Sequence, residues 1–552
     1  MDRLGDFASN SYLRMGSLRT IGRYWHSLRH LRAHQVYGRI LFDWRFPKPH
    51  VRPAPPLQPA TGWWQPCALR RPSLIGPNTF RLLNVEHSLE TTGWDGGDID
   101  LLWRFNQHYF DDLNAEGAAD RARWHIPLMQ RWVRENPPGV GTGWRPYPNS
   151  LRIVNWVKWA LAGGGLPADC VQSLATQARW QRQRIEYHYL GNHLLANAKA
   201  LVFAGCFFGG NEADEWRRTG LRIYAQQLPE QILPDGGHYE LSPMYQSLML
   251  EDLLDLVNLM ASVPALASEF PAAIRASVNP MRRWLAAMCH PDGEISFFND
   301  AAFGVAPTPS ELSGYAARLG FTEDVSPAPG LTHLRDSGFV RMQRGPAIVI
   351  ADVGEVCAPV CPAHAHADTL SFEMSVHGQR VLVNSGVSQY GDGAARDRQR
   401  GTAAHNTVVI DGRNSSDVWS SFRVATRAHV IDVSANESDG SLEVHGAHSG
   451  YRRLPGAPTH RRRWRLTDSS LTVQDNGLPT ARAEARFHLA PGVAGELQGP
   501  GLPLLDGSMS GSFGQGARIE PFEWHPEFGT SVASRCVAVL AEGSQMQARF
   551  TW

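Results

Sequence analysis

The spacing of apolar residues changes past the middle of the chain, and this change constrains the fold more than any other feature. Before about residue 290, apolar side chains recur at helical spacing, as in residues 151–161 and 248–260. After the Pro- and Gly-rich segment 327–330 they alternate or run together as in strands, for example in residues 339–342 and 371–376. The pattern predicts a helical domain followed by an antiparallel β-sandwich.

Tryptophan is distributed in the same way. Fourteen of the 18 tryptophans precede residue 330, and a series of aromatic-rich helices is typical of a toroid or bundle with a concave aromatic face. We therefore expect a multidomain α + β chain. It would have a basic, helical N-terminal arm over residues 1–60, a helical toroid over 61–328 and an antiparallel β-sandwich over 329–552.

The charge balance excludes some classes of protein. Lys and Arg number 53, as do Asp and Glu, so the chain lacks the basic excess of a general nucleic-acid-binding protein. No run of about 18 apolar residues is present, so no transmembrane helix is expected. The seven cysteines are odd in number and mostly isolated, which is typical of a reducing compartment or of incidental thiols rather than of a disulfide framework.

The N-terminal arm is rich in Arg and His and lacks the apolar core of a secretory signal peptide. A cytoplasmic location is the default expectation, with a periplasmic or membrane-associated location still open. The arm has two interpretations: a solvated helix packed on the body of the protein, or an amphipathic element that docks on a membrane surface or a partner.

Polar residues gather in four clusters, two of them in the predicted helical domain. Asn192 and His193 precede an apolar helix, where an Asn is most simply an N-cap. The second cluster, in residues 235–245, holds more polar groups than a helix cap requires: His238, Tyr239, Glu240 and Tyr245.

The other two clusters lie in the predicted sandwich. His364 and His366 directly precede a strand, and residues two apart on an extended chain face the same side, so the two imidazoles can meet on one ligand. His405 follows the charged run 396–400, which is either solvated or binds an anion. The sequence has no GxSxG elbow, P-loop or paired CxxC, so the chemistry of those motifs is not expected.

At these residues the chain resembles the heparinase II/III-like polysaccharide lyases, over roughly residues 90 to 550. The resemblance rests on the order and spacing of several short motifs, namely residues 103–110 and 143–148, Asn192-His193, residues 242–245, His364-x-His366 and His405-Asn406-Thr407. It implies an (α/α) toroid followed by an antiparallel β-sandwich.

The activity implied by this resemblance is β-elimination at a uronic acid. A base removes the C5 proton, an acid protonates the oxygen leaving C4, and an unsaturated uronide results. Asn192 matches the position that neutralises the uronate carboxylate. Tyr245 matches the catalytic tyrosine and His364 the catalytic histidine, with His364 our candidate base. Which of the two takes the proton and which gives it stays open, because it depends on whether C5 has the glucuronate or the iduronate configuration. His405 is included in the catalytic set.

The resemblance also implies a zinc site in members that bind metal, made of the second His of His-x-His, an acidic residue and a later His. His366 and His405 match two of these positions. The acidic position falls at Asn384, a weaker ligand than Asp, and Asp368 is near enough in sequence to replace it. A structural zinc ion and a metal-free site both stay open.

An acidic polysaccharide is the expected partner, and neither its identity nor the oligomeric state follows from the sequence. The resemblance suggests a set of substrate contacts, with Trp103 and His108 as further cleft lining: Trp144, Arg145, His193, His238, Tyr239, Glu240, Arg396 and Arg400. Two other functions stay open. One is a catalytically silent, glycan-binding protein of exopolysaccharide biosynthesis, and the other is a glycoside hydrolase that uses Glu240 and Asp300.

Overall fold

A computed structural model describes residues 18–479, 482–493, 495–499, 501–514 and 516–552. Its helices precede almost all of its strands. They are α1 Leu18–Leu28, α2 Ala33–Trp44, α3 Leu89–Thr92, α4 Leu101–Gln107, α5 Ala122–Glu135, α6 Pro146–Leu161, α7 Ala168–Gln183, α8 Gly191–Phe207, α9 Asn211–Gln231, α10 Pro243–Ser262, α11 Ala272–Ala287, α12 Pro309–Arg318 and α13 Ala394–Arg400.

Most strands lie from residue 330 onward, where the short helix α13 interrupts them, and three short strands form a small sheet earlier in the chain. They are β1 Leu74–Gly76, β2 Thr79–Leu82, β3 Val85–Ser88, β4 Gly330–Leu334, β5 Phe339–Arg344, β6 Ala347–Asp352, β7 Phe372–Val376, β8 Gln379–Leu382, β9 Val408–Ile410, β10 Val418–Trp419, β11 Arg423–Val424, β12 Val430–Ser438, β13 Ser441–His448, β14 His460–Leu466, β15 Ser470–Asn476, β16 Ala483–Leu489, β17 Gly501–Leu504, β18 Met509–Phe513, β19 Arg518–Trp524, β20 Val532–Leu540 and β21 Gln545–Thr551.

Two large antiparallel sheets build the C-terminal half. One has the order β19-β20-β16-β8-β7-β6-β5-β4, with β9 also paired to β16, and the other has the order β12-β13-β14-β15-β21-β18-β17. Apolar residues from both sheets form one core, including Val349 and Phe372 from the first sheet and Trp464 and Phe550 from the second. The sequence prediction of a helical region followed by an antiparallel, sheet-rich region is confirmed.

The helices of the N-terminal half pack around a core rich in tryptophan. Trp132, Trp156 and Trp180 are each at most 1% exposed. Helices α8 and α10 are buried on nearly every side, which explains why their apolar residues do not form a single stripe. The N-terminal ends of these two helices are buried as well, with Asn192 at the start of α8 and Tyr245 at the start of α10.

The two halves meet across a smaller apolar cluster. Trp284 and Phe298 from the helical half pack against Phe339 and Ile350 of the first sheet. The Trp284 indole also donates a hydrogen bond to Ser337 Oγ at 2.8 Å. This junction lies beside the residues that carry the polar clusters.

The N-terminal arm contains α1 and α2, whereas residues 45–60 are not helical and residues 1–17 lie outside the described residues. Helix α1 contacts the sandwich, where Arg23 forms two hydrogen bonds with the Asp417 carboxylate at 3.0 and 2.7 Å. Helix α2 contacts the helical half, where the Phe42 carbonyl accepts from Arg184 at 2.7 Å. Within the described residues, no helix is long and apolar enough to cross a membrane.

Candidate active site

The candidate site lies at the N-terminal ends of α8 and α10. Gly191 enters α8 with φ 55°, and a Cβ there would lie 2.1 Å from Glu240 Oε1, so only glycine fits. At the start of α10, the Ser242 hydroxyl accepts a hydrogen bond from the Tyr245 N–H at 3.2 Å and caps the helix. These two helix starts carry Asn192 and Tyr245.

The Glu240 carboxylate fixes the orientation of Asn192. The Asn192 side-chain Nδ2 lies 3.0 Å from both carboxylate oxygens, and its backbone N–H donates to Oε1 at 3.0 Å. Burial would raise the pKa of Glu240, but the charges of His238 and His364 and the hydrogen bonds from Asn192 outweigh it and lower that pKa. Glu240 is therefore an ionised acceptor beneath Asn192.

Tyr245 and His364 form a stacked pair. Their ring centroids are 3.9 Å apart with an interplanar angle of 30°. The Tyr245 hydroxyl lies 3.1 Å from the Tyr390 hydroxyl, and burial raises the pKa of both phenols well above the usual value. Both tyrosines are therefore protonated at neutral pH.

A single carboxylate, that of Asp300, holds the two histidines of the His-x-His segment. It accepts from His364 Nδ1 at 2.9 Å, from His366 Nε2 at 2.9 Å and from Arg396 Nη2 at 2.8 Å, with a further bond from Arg396 Nη1. Burial would raise the pKa of Asp300, but the Arg396 charge and the two histidine hydrogen bonds hold it well below the usual range. The carboxylate is thus ionised.

The hydrogen bonds to Asp300 also fix which nitrogen of each histidine carries the proton. His364 donates through Nδ1, so its Nε2 is the nitrogen that Asp300 does not hold, and it lies 3.9 Å from Glu240 Oε2. His366 donates through Nε2, so its Nδ1 presents a lone pair, 3.2 Å from His405 Nε2.

His366 Nδ1 belongs to a group of side chains that could hold a metal ion. Ligand atoms of His366, Asp368 and His405 all lie within 4.8 Å of one another, and all three residues are buried. Two nitrogens on a tetrahedral zinc ion would be about 3.3 Å apart, close to the His366–His405 distance. Burial lowers the pKa of His366 to about 4 and that of His405 well below the usual value, so both imidazoles are neutral, the form that binds metal.

Asn384 does not match the predicted role of metal ligand. Its Oδ1 accepts from the Asn406 N–H at 3.1 Å, and its Nδ2 donates to the Phe297 carbonyl at 2.9 Å. Both ends of the amide are thus occupied by backbone groups. The carboxylate beside the two imidazoles is Asp368, which the sequence offered only as a replacement.

The prediction that Trp144 lines the cleft is wrong. Its side chain is 3% exposed, donates to the Asn136 carbonyl at 3.2 Å and packs against Trp132 and Trp180 in the helical core. Trp103 and His108 are buried in the same core, at 2% and 0% exposure. An aromatic residue in a sequence motif can serve packing as well as sugar binding.

Arg396 and Arg400 are likewise not surface contacts for uronate or sulfate groups, because both side chains are inaccessible to solvent. Arg396 pairs with Asp300, and Arg400 donates to the Ala365 carbonyl through Nε at 3.0 Å and Nη2 at 2.9 Å. Both arginines thus position the segment that carries His364 and His366.

Three more residues that we predicted to contact substrate, His238, Tyr239 and Glu240, are buried next to the start of α8. His238 Nε2 is 3.1 Å from Gln231 Oε1, and the Tyr239 hydroxyl accepts from the Gly191 N–H at 2.8 Å. With Glu240, these side chains are at most 5% exposed. They support the start of α8 and are not exposed as surface contacts for a substrate would be.

His193 and Arg145 remain accessible enough to meet a ligand. The His193 side chain is 34% exposed, lies 3.2 Å from Glu186 Oε2 and has its ring centroid 4.4 Å from that of Tyr147. Burial would lower the pKa of His193, but the Glu186 charge and hydrogen bond raise it above the usual value. The half-buried Arg145 lies over the Phe105 ring at 5.7 Å.

Two residues of the site were missed by reasoning from the sequence. Asp300 was considered only as a hydrolase acid, although it follows the aromatic pair Phe297-Phe298 and Asn299. Tyr390, beside Gly391 in a loop, was not considered at all. Two consecutive polar residues after an aromatic pair are a signal that could have identified Asp300.

Comparison with known proteins agrees with this architecture. The family model described as Heparinase II/III N-terminus matches residues 114–316, and the model described as Heparinase II/III-like, C-terminal matches residues 326–552. A heparin-sulfate lyase of Pedobacter heparinus is 26% identical over 353 residues, which are 58% of this chain and 53% of that protein. The chain thus spans about half the length of the curated relatives it matches.

Solved structures show the same fold at low sequence identity. A crystal structure of heparinase III matches with a TM-score of 0.67 and 18% identity, over 84% of this chain and 80% of that chain. A Streptomyces coelicolor A3 chondroitin AC lyase in complex with chondroitin sulphate matches with a TM-score of 0.52 and 12% identity, over 87% and 77%. The two family models together account for most of the sequence, and the chain belongs to the heparinase II/III-like family.

Proposed function

We propose that the chain is a polysaccharide lyase that cleaves a uronic-acid-containing polysaccharide by β-elimination and leaves unsaturated uronide ends. The observation that carries the proposal is the stacked pair of Tyr245 and His364, with Asn192 on the neighbouring helix start. A hydroxyl that holds its proton and an imidazole with a free nitrogen are the acid and the base that an elimination needs.

In this proposal His364 removes the C5 proton through Nε2. Asp300 holds the opposite nitrogen and stabilises the imidazolium that forms, as a buried carboxylate does in a catalytic triad. The ionised state of Asp300, maintained by Arg396, is required for this role. Asp300 thus orients the base, His364, without touching the substrate.

Tyr245 is the matching acid. Because burial raises its pKa, the phenol keeps its proton until the leaving C4 oxygen develops negative charge and accepts it. After the bond breaks, Tyr245 is a phenolate that the Tyr390 hydroxyl, 3.1 Å away, can stabilise with a hydrogen bond, while His364 carries the proton from C5. Transfer of that proton from His364 through solvent to Tyr245 restores both groups. The side-chain amide of Asn192, 8% exposed and oriented by Glu240, is positioned to donate to the uronate carboxylate.

We further propose that His366, His405 and Asp368 hold a divalent cation, with zinc the natural choice for two imidazoles and one carboxylate. The Asp300 carboxylate beside His366 supplies the outer hydrogen bond that metal-ligating histidines usually have. When bound, the ion would supply positive charge that orders the His-x-His segment.

We place the protein in a reducing compartment, which its seven free cysteines support.

A second candidate function is a glycan-binding protein without lyase activity. The observation that favours it is that Asn192 Nδ2 already contacts both oxygens of Glu240. A glycoside hydrolase is disfavoured, because its two carboxyl groups must face the substrate. Glu240 and Asp300 are 3% and 0% exposed, and each is held by hydrogen bonds.

The test is a panel of uronic-acid polysaccharides, sulfated and unsulfated, monitored by ultraviolet absorbance of the conjugated double bond that elimination creates. The comparison is between the wild type and Tyr245→Phe, which keeps the ring stack on His364 but removes the proton donor. We expect turnover to fall by about 10²–10⁴-fold with little change in KM. Undiminished turnover would refute the role of Tyr245, and glycan binding without absorbance would support the second candidate.

A further inference from the structure

The outer surface of the N-terminal arm is apolar. On α1, Ile21, Trp25 and Leu28 are 53%, 67% and 48% exposed, and their spacing places them on one face of the helix. Large side chains exposed to this extent at consecutive helical positions differ from the scattered apolar residues of an ordinary protein surface.

Helix α2 continues this pattern. Tyr37, Ile40, Leu41 and Trp44 are 56%, 64%, 42% and 78% exposed, again at helical spacing. Like the three side chains of α1, they point away from the body of the protein. The seven residues of the two helices are called the outer face below.

Several polar residues of the arm are turned inward and hold the two helices in place. On α1, Arg23 pairs with Asp417 of the sandwich. On α2, Gln35 is 6% exposed and donates to the Val360 carbonyl at 3.0 Å, and Arg39 contacts the Tyr189 hydroxyl. Arg29 and Asp43 are exposed beside the apolar residues. The arm thus departs from the usual arrangement, in which large apolar side chains face the protein and only polar ones face water.

The arm also has a net positive charge, which the neutrality of the whole chain conceals. Residues 1–52 contain ten Lys or Arg against three Asp or Glu, whereas residues 53–552 contain 43 against 50. The arm segment thus has a formal charge of +7 and the remainder −7. An apolar surface embedded in such a basic segment is complementary to a surface that is both apolar and anionic.

We propose that the outer face binds the interface of an anionic lipid bilayer, with α1 and α2 lying in the membrane plane. Two tryptophans and a tyrosine are the side chains that favour the boundary between headgroups and acyl chains. Helices of 11 and 12 residues can lie in that boundary but are too short to span it. A second copy of the chain is a poorer occupant, because a symmetric contact would bring two segments of charge +7 together.

Charge separation gives this contact a direction. Anionic lipids attract the arm and repel the acidic remainder of the chain, so the protein would be oriented with the arm toward the bilayer. The inference does not depend on the proposed lyase activity, since no residue of the outer face belongs to the candidate site.

The experiment is co-sedimentation of the full chain with vesicles of phosphatidylcholine alone or mixed with phosphatidylglycerol, at low and high salt. We expect binding only to the anionic vesicles and weaker binding at high salt. The double variant Ile40→Ser/Trp44→Ser should lower the partition coefficient by about tenfold or more, because it removes two of the most exposed apolar side chains. The matched control is Trp63→Ser, whose tryptophan is 51% exposed outside the arm.

Several results would overturn the proposal. They are absence of wild-type binding to the anionic vesicles, equal binding by the double variant, and loss of binding in the Trp63→Ser control. A wild-type dimer that becomes a monomer in the double variant, without vesicle binding, would assign the outer face to a second copy. Thermal melting of each variant checks that it is folded, and Ile21→Ser/Trp25→Ser provides an independent variant on α1.

Discussion

Replacing Asp300 with asparagine tests the orienting carboxylate of the site. The change keeps the size of the side chain but removes the charge that pairs with Arg396 and fixes the proton on His364 Nδ1. Leaving a buried arginine without its partner costs about 3–5 kcal/mol. For a chain of this length the entropy of unfolding is about 1.2 kcal/mol per kelvin, so the melting temperature should fall by about 3–4 °C.

The effect on turnover should be much larger than the effect on stability. Without the carboxylate, His364 can place its proton on Nε2 and then cannot act as a base, so we expect kcat to fall by about 10²–10⁴-fold with KM little changed. Initial rates come from ultraviolet absorbance on the polysaccharide that the panel identifies, and melting temperatures from calorimetry.

Asp255→Asn is the matched control for this experiment. Asp255 is also 0% exposed and accepts from Lys199 Nζ at 2.6 Å and Lys158 Nζ at 3.0 Å, but it has no contact with His364. It should lose similar stability and retain turnover. Equal losses of turnover in the two variants would show that Asp300 acts only through stability, and the orienting role would be rejected.

Two further variants address the corrected residues. Asp368→Asn should abolish a zinc-dependent rise in melting temperature that the wild type shows; equal rises in both proteins would exclude Asp368 as a ligand. Burial raises the pKa of Asp368 to about 6 from an unfolded value of about 4, so in the metal-free wild type its contribution to stability is complete below pH 4 and lost as pH rises to about 6. Asp368→Asn should flatten that pH dependence, measured by melting across the same window. Trp144→Ala should lower the free energy of unfolding by about 3–5 kcal/mol, measured by denaturant unfolding, and leave KM unchanged. A raised KM would show instead that Trp144 lines the cleft.

The sequence was most informative about features set by local pattern. The change of apolar spacing near residue 330 predicted the order of the two structural classes, because helical and strand periodicities differ along the chain itself. The motif resemblance directed attention to Asn192, Tyr245 and His364, which the structure brings together at two helix starts and one loop. Their catalytic roles stay proposals.

What the sequence did not reveal depends on contacts between distant residues. Arg396 resembles a surface charge until its partner Asp300, 96 residues earlier, is seen to be buried with it. Trp144 and Asn384 were given site roles from their positions in the sequence, yet their side chains point into the core or bond to backbone groups. Burial and pairing of this kind arise from tertiary packing and produce no periodic pattern in the sequence.

The N-terminal arm joins the two halves of the molecule, with mechanical consequences for any movement between them. Helix α1 is fixed to the sandwich at Asp417, and α2 is fixed to both halves, through Gln35 to the Val360 carbonyl at one end and through the Phe42 carbonyl to Arg184 at the other. The arm is therefore a strap across the junction, and separating the two halves on this side would break hydrogen bonds of α2. A long polymer that needed a wider opening could enter on this side only after α2 detached from one of the halves.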